Sequence, residues 1–456
     1  MNKASIIGKI LIKGDLVLAS PLLIGDGEGE TSENKIDIHV LKKKNIEKQK
    51  EIPFIPGTSL CGVLREYMTG IEPKAVAKLF GDATNSQSAI QFDDIELKDG
   101  KIISRDGVSI DGLTGTGIDG AKYDYEAIDR GASGKLRILI NLRGDNVDAE
   151  NFDAANYTLE KVTGIVDELI VRLQHGISLG ALTAKGFGLT QVKNLTAGFY
   201  DFRNKADVAA WLTDKPASRQ LKPSAKTISE NPADFIVDAQ FKFNSSFIVR
   251  DYQVSAKDKE NKISAVSLRS KNDFVIPGTS LKGIFRHQAE KIFRTLKLDV
   301  TKLEKLMGTS KDSGEKIKSR FIVAESYITP DKVAEINHTR NKIDRFTGGT
   351  LQGTLFTTKP VYQKTSEPTV TIHFEIRNAK DFEAGLALFL LRDMWKGNVA
   401  IGGEKSIGRG TVSGIGAEIK FQGETYKLGE SGKVVKGDAT KLSALAETLK
   451  KCGDER

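Results

Sequence analysis

Phe54-Ile55-Pro56-Gly57-Thr58-Ser59-Leu60-Cys61-Gly62-Val63-Leu64-Arg65 returns 221 positions later as Val275-Ile276-Pro277-Gly278-Thr279-Ser280-Leu281-Lys282-Gly283-Ile284-Phe285-Arg286. Three further landmarks repeat in the same order. Gly180-x5-Gly186-x-Gly188 matches Gly402-x5-Gly408-x-Gly410, shifted by 222. Ile110-Asp111-Gly112-Leu113-Thr114-Gly115 matches Ile343-Asp344-Arg345-Phe346-Thr347-Gly348, shifted by 233, and the strand-like segment from Leu136 matches that from Val370, shifted by 234. The shift grows and then shrinks, so the second copy is longer ahead of its Thr-Gly segment. The first is longer ahead of its glycine loop, where residues 144–158 supply the length. A repeat this long is a duplicated domain rather than a solenoid unit.

Composition sets the frame. The 456 residues suit two domains of about 220 residues, each large enough for its own core. A hydrophobic share of 39% with mixed charge describes an ordinary globular protein. The segment from Met1 to Lys9 has no long apolar run, so neither a signal peptide nor a spanning helix is expected, and no membrane association. Cys61 and Cys452 have no CxxC partner, which excludes a cysteine-built zinc site and suits the cytoplasm. The net charge of +8, from 68 basic and 60 acidic residues, permits a polyanionic partner without demanding one.

The hydrophobic period places the elements. Phe235, Val237, Ala239, Phe241 and Phe243 alternate with polar residues as in a half-buried strand. After each Pro-Gly the period changes: Leu60, Val63, Leu64, Tyr67 and Met68, like Leu281, Ile284, Phe285, Ala289, Ile292 and Phe293, follow helical spacing. Thr58/Ser59 and Thr279/Ser280 are the N-cap candidates. A strand over Leu136–Leu142 and a helix over Val162–Leu173 come next, matched by Val370–Ile376 and Phe382–Met394, and each glycine loop leads into a short strand such as Leu189–Val192. Strand, helix, strands, helix, strand is the βαββαβ ferredoxin-like order, an α+β fold. The domains are then 1–213, a Pro-bearing linker 214–234, 235–430, and an appendage 431–456 ending in a helix over 440–452.

The capped helix starts leave backbone N–H groups that, with Ser59, Arg65, Ser280, Lys282 or Arg286, suit phosphate oxygens, although any strand-to-helix turn reads the same way. The glycine loops match neither the Walker nor the Rossmann pattern, since each follows a helix and precedes a strand. Lys185, Gly186, Gly188, Lys405, Gly408, Arg409 and Gly410 supply charge and close backbone approach. The polar, glycine-rich stretch at 104–117 and its counterpart at 340–350 read as a projecting hairpin or loop. They carry Arg105 in the first copy, and Arg340, Lys342 and Arg345 beside Phe346 in the second, a set that suits nucleic acid.

Ile24-Gly25-Asp26-Gly27, the Ile-Pro-Gly-Thr-Ser-Leu-x-Gly helix start, the Ile-Asp-x-x-Thr-Gly segment and the C-terminal glycine loop together resemble the RAMP superfamily of CRISPR-associated proteins. The chain is similar to the RNA-binding backbone subunit of type III effector complexes in a tandem form, over nearly all of residues 5–420. The resemblance implies two modified RRM-like domains with thumb hairpins at 105–129 and 340–356, a bound crRNA, a target single-stranded RNA, and other CRISPR effector subunits in one ribonucleoprotein. It also implies a metal-dependent endoribonuclease in which a loop aspartate beside each thumb cuts the target. In Lys35-Ile36-Asp37-Ile38-His39-Val40-Leu41-Lys42 that residue is Asp37. In Lys262-Ile263-Ser264-Ala265-Val266-Ser267-Leu268-Arg269 it becomes Ser264, with Asp251 and Asp258 nearby as substitutes.

A carboxylate there orients or deprotonates a 2′-hydroxyl, or holds a divalent ion, Mg²⁺ or Mn²⁺, whose shell RNA phosphates complete because one donor is too few. His39 stands next door as a possible general acid. Two other readings stay open: a non-catalytic RNA-binding scaffold, and a stand-alone crRNA-processing nuclease, which the two thumb-like segments and the doubled helix start disfavour.

Overall fold

The computed structural model describes residues 6–451 apart from 28–35, 46–49, 72, 74–75, 77–78, 82–86, 113, 144–158, 222–230, 252–259, 261–262 and 310–314. Two compact units divide the chain: Met1–Ser109, Gly117–Thr183 and Phe187–Ser229 form one, and Ile110–Thr116, Ala184–Gly186 and Glu230–Arg456 the other.

In the first copy, β1 (Ile6–Leu18), α1 (Gly57–Thr69), β2 (Ile90–Phe92), the hairpin strands β3 (Ile102–Ile110) and β4 (Gly117–Ile128), β5 (Ser133–Arg143), α2 (Leu159–His175) and β6 (Leu189–Asp201) follow in order. The antiparallel sheet runs β6-β1-β5-β2. The second copy repeats this with β7 (Phe235–Phe243), β8 (Ile263–Ser267), α4 (Gly278–Thr295), β9 (Phe321–Val323), β10 (His338–Arg340), β11 (Phe356–Thr358), β12 (Val370–Ile376), α5 (Asp381–Trp395) and β13 (Val412–Phe421). Its sheet runs β9-β12-β7-β13, so fourth-first-third-second is the strand order in both copies, the ferredoxin-like arrangement read from the sequence.

Period-two alternation turns Ile10, Ile12, Leu136, Ile138 and Ile140 onto Leu60, Leu64, Met68, Val166, Leu169 and Leu173 of the two helices. Phe235, Val237, Phe241, Ile372 and Phe374 pack likewise on Leu281, Phe285, Phe293, Leu386 and Leu390. Each fully buried side chain of this size contributes about 1.5–3 kcal/mol.

Several expectations change. The N-caps are Pro56 and Pro277, both extended at φ −61° and ψ 138°, with no side-chain cap from the Thr-Ser pairs. In the first copy Asp94 caps from outside, its Oδ1 accepting from the Gly57 N–H at 2.9 Å. The strand opening at Leu189 runs on to Asp201, and α3 (Lys205–Leu212) follows it. Trp211 of α3 meets Tyr200 edge-on at 5.1 Å, covering the sheet face that holds Leu11 and Leu139. Within the expected linker, Arg219–Gln220 pairs with β6, while 222–230 fall outside the described residues.

The C-terminal stretch set apart on sequence belongs to the second core. Strands β14 (Glu424–Leu428) and β15 (Val434–Lys436) extend the sheet, and Leu442, Leu445 and Leu449 of α6 (Ala439–Lys451) join the buried cluster. Helices α5 and α6 meet so closely that a Cβ on Gly385 would sit 2.3 Å from the Leu445 carbonyl oxygen.

Candidate functional site

Strand β4 is two-faced at the base of the first hairpin. Tyr123, Tyr125 and Ala127 pack with Leu23, Ile38, Leu182 and Phe187 in a small apolar cluster. Alternation turns Lys122, Asp124 and Glu126 the other way. The loop carrying Asp37 lies alongside, with Ile38 bridging Tyr125 in parallel. The Asp37 N–H donates to the Asp124 carbonyl at 3.0 Å, and the Asp124 N–H donates back to Asp37 Oδ2 at 2.7 Å. One carboxylate oxygen is thus fixed by backbone, and the side chain is half-buried. Lys122 Nζ stands 3.5 Å from Asp124 Oδ1 and 3.9 Å from Asp106 Oδ2.

Glu126 Oε2 accepts from the Val40 N–H at 3.1 Å and meets Lys42 Nζ at 3.3 Å and His39 Nδ1 at 3.4 Å. Burial alone would raise the Glu126 carboxyl, but these partners hold it below its ordinary value. His39 Nε2 is buried without a hydrogen-bond partner, and its Nδ1 faces Glu126.

The second copy repeats the central pairings, with a register irregularity between Ile263 and Ala265, and carries different chemistry. Arg250 pairs with Ser267 as Gly25 pairs with Val40, and Ala265 pairs in parallel with Thr358 as Ile38 does with Tyr125. This register puts Ser264 at the place of Asp37 and Thr357 at that of Asp124. Ser264 Oγ donates to the Thr357 carbonyl at 3.0 Å. Asp251 pairs with Val266 and so matches Asp26, not Asp37. Asp258 lies outside the described residues. Leu355 and Lys359 stand where the first copy has Lys122 and Glu126.

The glycine loops are built for close backbone packing. Gly188 and Gly410, at φ 77° and 79°, leave 1.9 Å between an added Cβ and the carbonyl oxygens of Leu179 and Ile401. Lys405 and Gly408 are exposed at the second loop's tip, while Lys185 and Gly186 are half-buried. Arg409 is 3% exposed, so it faces the interior rather than a ligand. Its Nε lies 3.2 Å from Glu404 Oε2 and its Nη2 meets His338 Nδ1. Arg250 reaches the same carboxylate at 2.8 Å, and Arg340, lying over the Phe356 ring, pairs with it too. Burial would raise Glu404, but the three guanidinium groups hold it below its ordinary value.

The helix-start residues are also committed inside the protein. Arg65 donates to the Gly81 carbonyl at 3.1 Å and Arg286 to the Gly308 carbonyl at 2.9 Å, the same tie made twice. Lys282 is 6% exposed, donates to Ser319 Oγ at 2.6 Å, and is pulled down to about 7 by burial. Ser59 and Ser280 are half-buried in the first turns. Arg105 is 5% exposed on β3, against the expectation of a surface contact.

The hairpin tips share a turn: Asp111 Oδ1 accepts from the Thr114 N–H at 2.7 Å, and Asp344 Oδ1 from the Thr347 N–H at 2.8 Å. In the second, Lys342 and Arg345 are exposed beside Phe346, which is 100% exposed.

The donor set does not form a resident metal cage. Among the described residues no three His, Cys, Asp or Glu side chains converge on one point, and the Asp124 N–H occupies one oxygen of Asp37. No described helix is long and apolar enough to cross a membrane.

Sequence reasoning named Asp37 as a candidate and passed over Lys122, Asp124 and Glu126, which the structure sets on the strand beside its loop. Their alternation with Tyr123, Tyr125 and Ala127 was the available signal.

No curated protein matches the chain. A family model, the RAMP superfamily, matches residues 15–191 and again 240–413, one match for each copy. The chain therefore belongs to the RAMP superfamily of CRISPR-associated RNA-binding proteins, with two RAMP domains in tandem.

Proposed function

We propose that this protein is a crRNA-binding backbone subunit of a type III CRISPR effector complex and that its first copy cuts the guide-paired target RNA. The observation carrying the reading is Asp37, held by the Asp124 backbone at the base of the first hairpin and replaced by Ser264 at the matching place in the second copy. With Oδ2 fixed, the carboxylate accepts the proton of a 2′-hydroxyl presented beside the hairpin. The 2′-oxygen attacks the adjacent phosphorus, the bond to the 5′-oxygen breaks, and the leaving oxygen takes a proton from water. The products are a 2′,3′-cyclic phosphate and a 5′-hydroxyl. Holding the nucleotide in line supplies much of the acceleration. Mg²⁺ or Mn²⁺ enters this reading only as an ion carried in by RNA phosphates.

The exposed Lys342, Arg345 and Phe346, with Lys405 and Gly408, are the RNA contacts that best fit their surroundings, by charge and by stacking. Both RAMP domains work in a cytoplasmic ribonucleoprotein with other effector subunits, the second domain including the C-terminal strand and helix that join its core. A scaffold without cutting is the competing reading. Mapping cuts by the assembled, guide-bearing complex separates the two. Wild type should cut once per chain, Asp37→Ala should lose that cut, and Asp251→Ala should keep it. Cutting by Asp37→Ala at every wild-type position would overturn the catalytic assignment.

A further inference from the structure

We propose that Lys122 is a second catalytic residue of the first copy, its ammonium contacting a non-bridging oxygen of the scissile phosphate; this rests on the reading of Asp37 as the cutting residue. Three observations carry it. Lys122 and Asp37 are anchored on the same residue: Asp124 gives its N–H to Asp37 Oδ2 at 2.7 Å, and its Oδ1 faces Lys122 Nζ at 3.5 Å. Lys122 is also accessible, with 62% of its side chain exposed, whereas Arg105 is buried and Lys42 is held at Glu126 with 24% exposed.

The third observation is the duplication itself. The residue at the place of Lys122 in the second copy is Leu355, 66% exposed, and the residue at the place of Asp37 is Ser264. Acid and cation are absent together in the second copy, although Ala265 pairs there with Thr358 as Ile38 does with Tyr125.

The chemistry asks for such a group. As the 2′-oxygen bonds to phosphorus and the bond to the 5′-oxygen breaks, negative charge builds on the non-bridging oxygens. A cation placed there stabilises the transition state more than the ground state. Exposed ion pairs are weak, so Asp106 and Asp124 can aim the ammonium without preventing it from turning to phosphate.

The test is single-turnover cleavage of target RNA by the assembled, guide-bearing complex, with target affinity measured in parallel. Lys122→Ala should slow the cut about 10²-fold at nearly unchanged affinity, and Lys122→Arg should stay within about tenfold of wild type. Wild-type cutting by Lys122→Ala, with Asp37→Ala inactive, would overturn the role of Lys122 and leave Asp37 in place. A slow Lys122→Ala beside an active Asp37→Ala would keep Lys122 and remove Asp37. A rate loss matched by an equal loss of affinity would assign Lys122 to binding and overturn the proposal.

Discussion

The bases of the two hairpins share a backbone and almost nothing else. In the first copy Leu182, Phe187 and Tyr125 close the base with apolar contacts. In the second, Glu404 and Arg409 fill the places of Leu182 and Phe187, and Arg250 and Arg340 complete an ionic cluster. Leu182 and Glu404 even share a left-handed φ of 59°. The difference teaches that glycine spacing and strand register fix the loop's path, while the side chains filling it were free to diverge. The side chains next door diverge as well: an aspartate and a lysine at one base, a serine and a leucine at the other.

Removing the hub of each cluster should sharpen that contrast most. Glu404→Ala leaves the buried Arg409 without its carboxylate and should destabilise the second copy by about 3–5 kcal/mol. Leu182→Ala, at a half-buried apolar site, should cost the first copy less than about 2 kcal/mol. Denaturant melts of the full chain, with hydrogen exchange to locate the opening, would read both. Equal losses would mean that the ionic cluster is no more than packing.

The next test tries to convert one base into the other. Ser264→Asp with Leu355→Lys should add a second target cut at a rate well below that of the first copy, and Ser264→Asp alone should add less. Cut-site mapping on target RNA gives the answer. A full-rate second cut from Ser264→Asp alone would show that a carboxylate suffices and would weaken the case for Lys122.

The smallest effect lies on the outer sheet faces. Where Leu11 faces Leu139 across β1 and β5, Asp238 faces His373 across β7 and β12, with Nδ1 and Oδ1 2.8 Å apart. Burial would lower His373, but Asp238 raises it overall, and the imidazole in turn lowers Asp238. The histidine's contribution is fully present below its ordinary 6.5 and fades as pH climbs through the raised value. The aspartate's is present above its ordinary 3.8 and fades as pH drops through the lowered value. Stability from this pair should therefore be greatest between those limits. Being partly exposed it is worth no more than about 1 kcal/mol, and Asp238→Asn should flatten that part of the stability-against-pH curve.

Much of the fold was legible because it rests on period and repeat. Alternation in Phe235–Phe243 and helical spacing after Pro56 and Pro277 became strands and helices at nearly the expected bounds. The caps were misread because an extended proline takes the N-cap place and leaves the Thr-Ser pairs inside the first turn. The candidate RNA contacts fared unevenly, since positive charge in a motif does not say which way a side chain turns. Arg65 and Arg286 bind glycine carbonyls, Lys282 and Arg409 are buried, and Phe346 is fully exposed.

The sequence by itself determined the duplication, the α+β class and the loss of an aspartate from the second copy, because repeat, period and residue identity are properties of a string. Only the tertiary structure decided which charged groups remain for a partner and which are consumed within the protein. That depends on strand pairings dozens of residues apart, such as the one that sets Asp37 against Asp124 and, through it, beside Lys122.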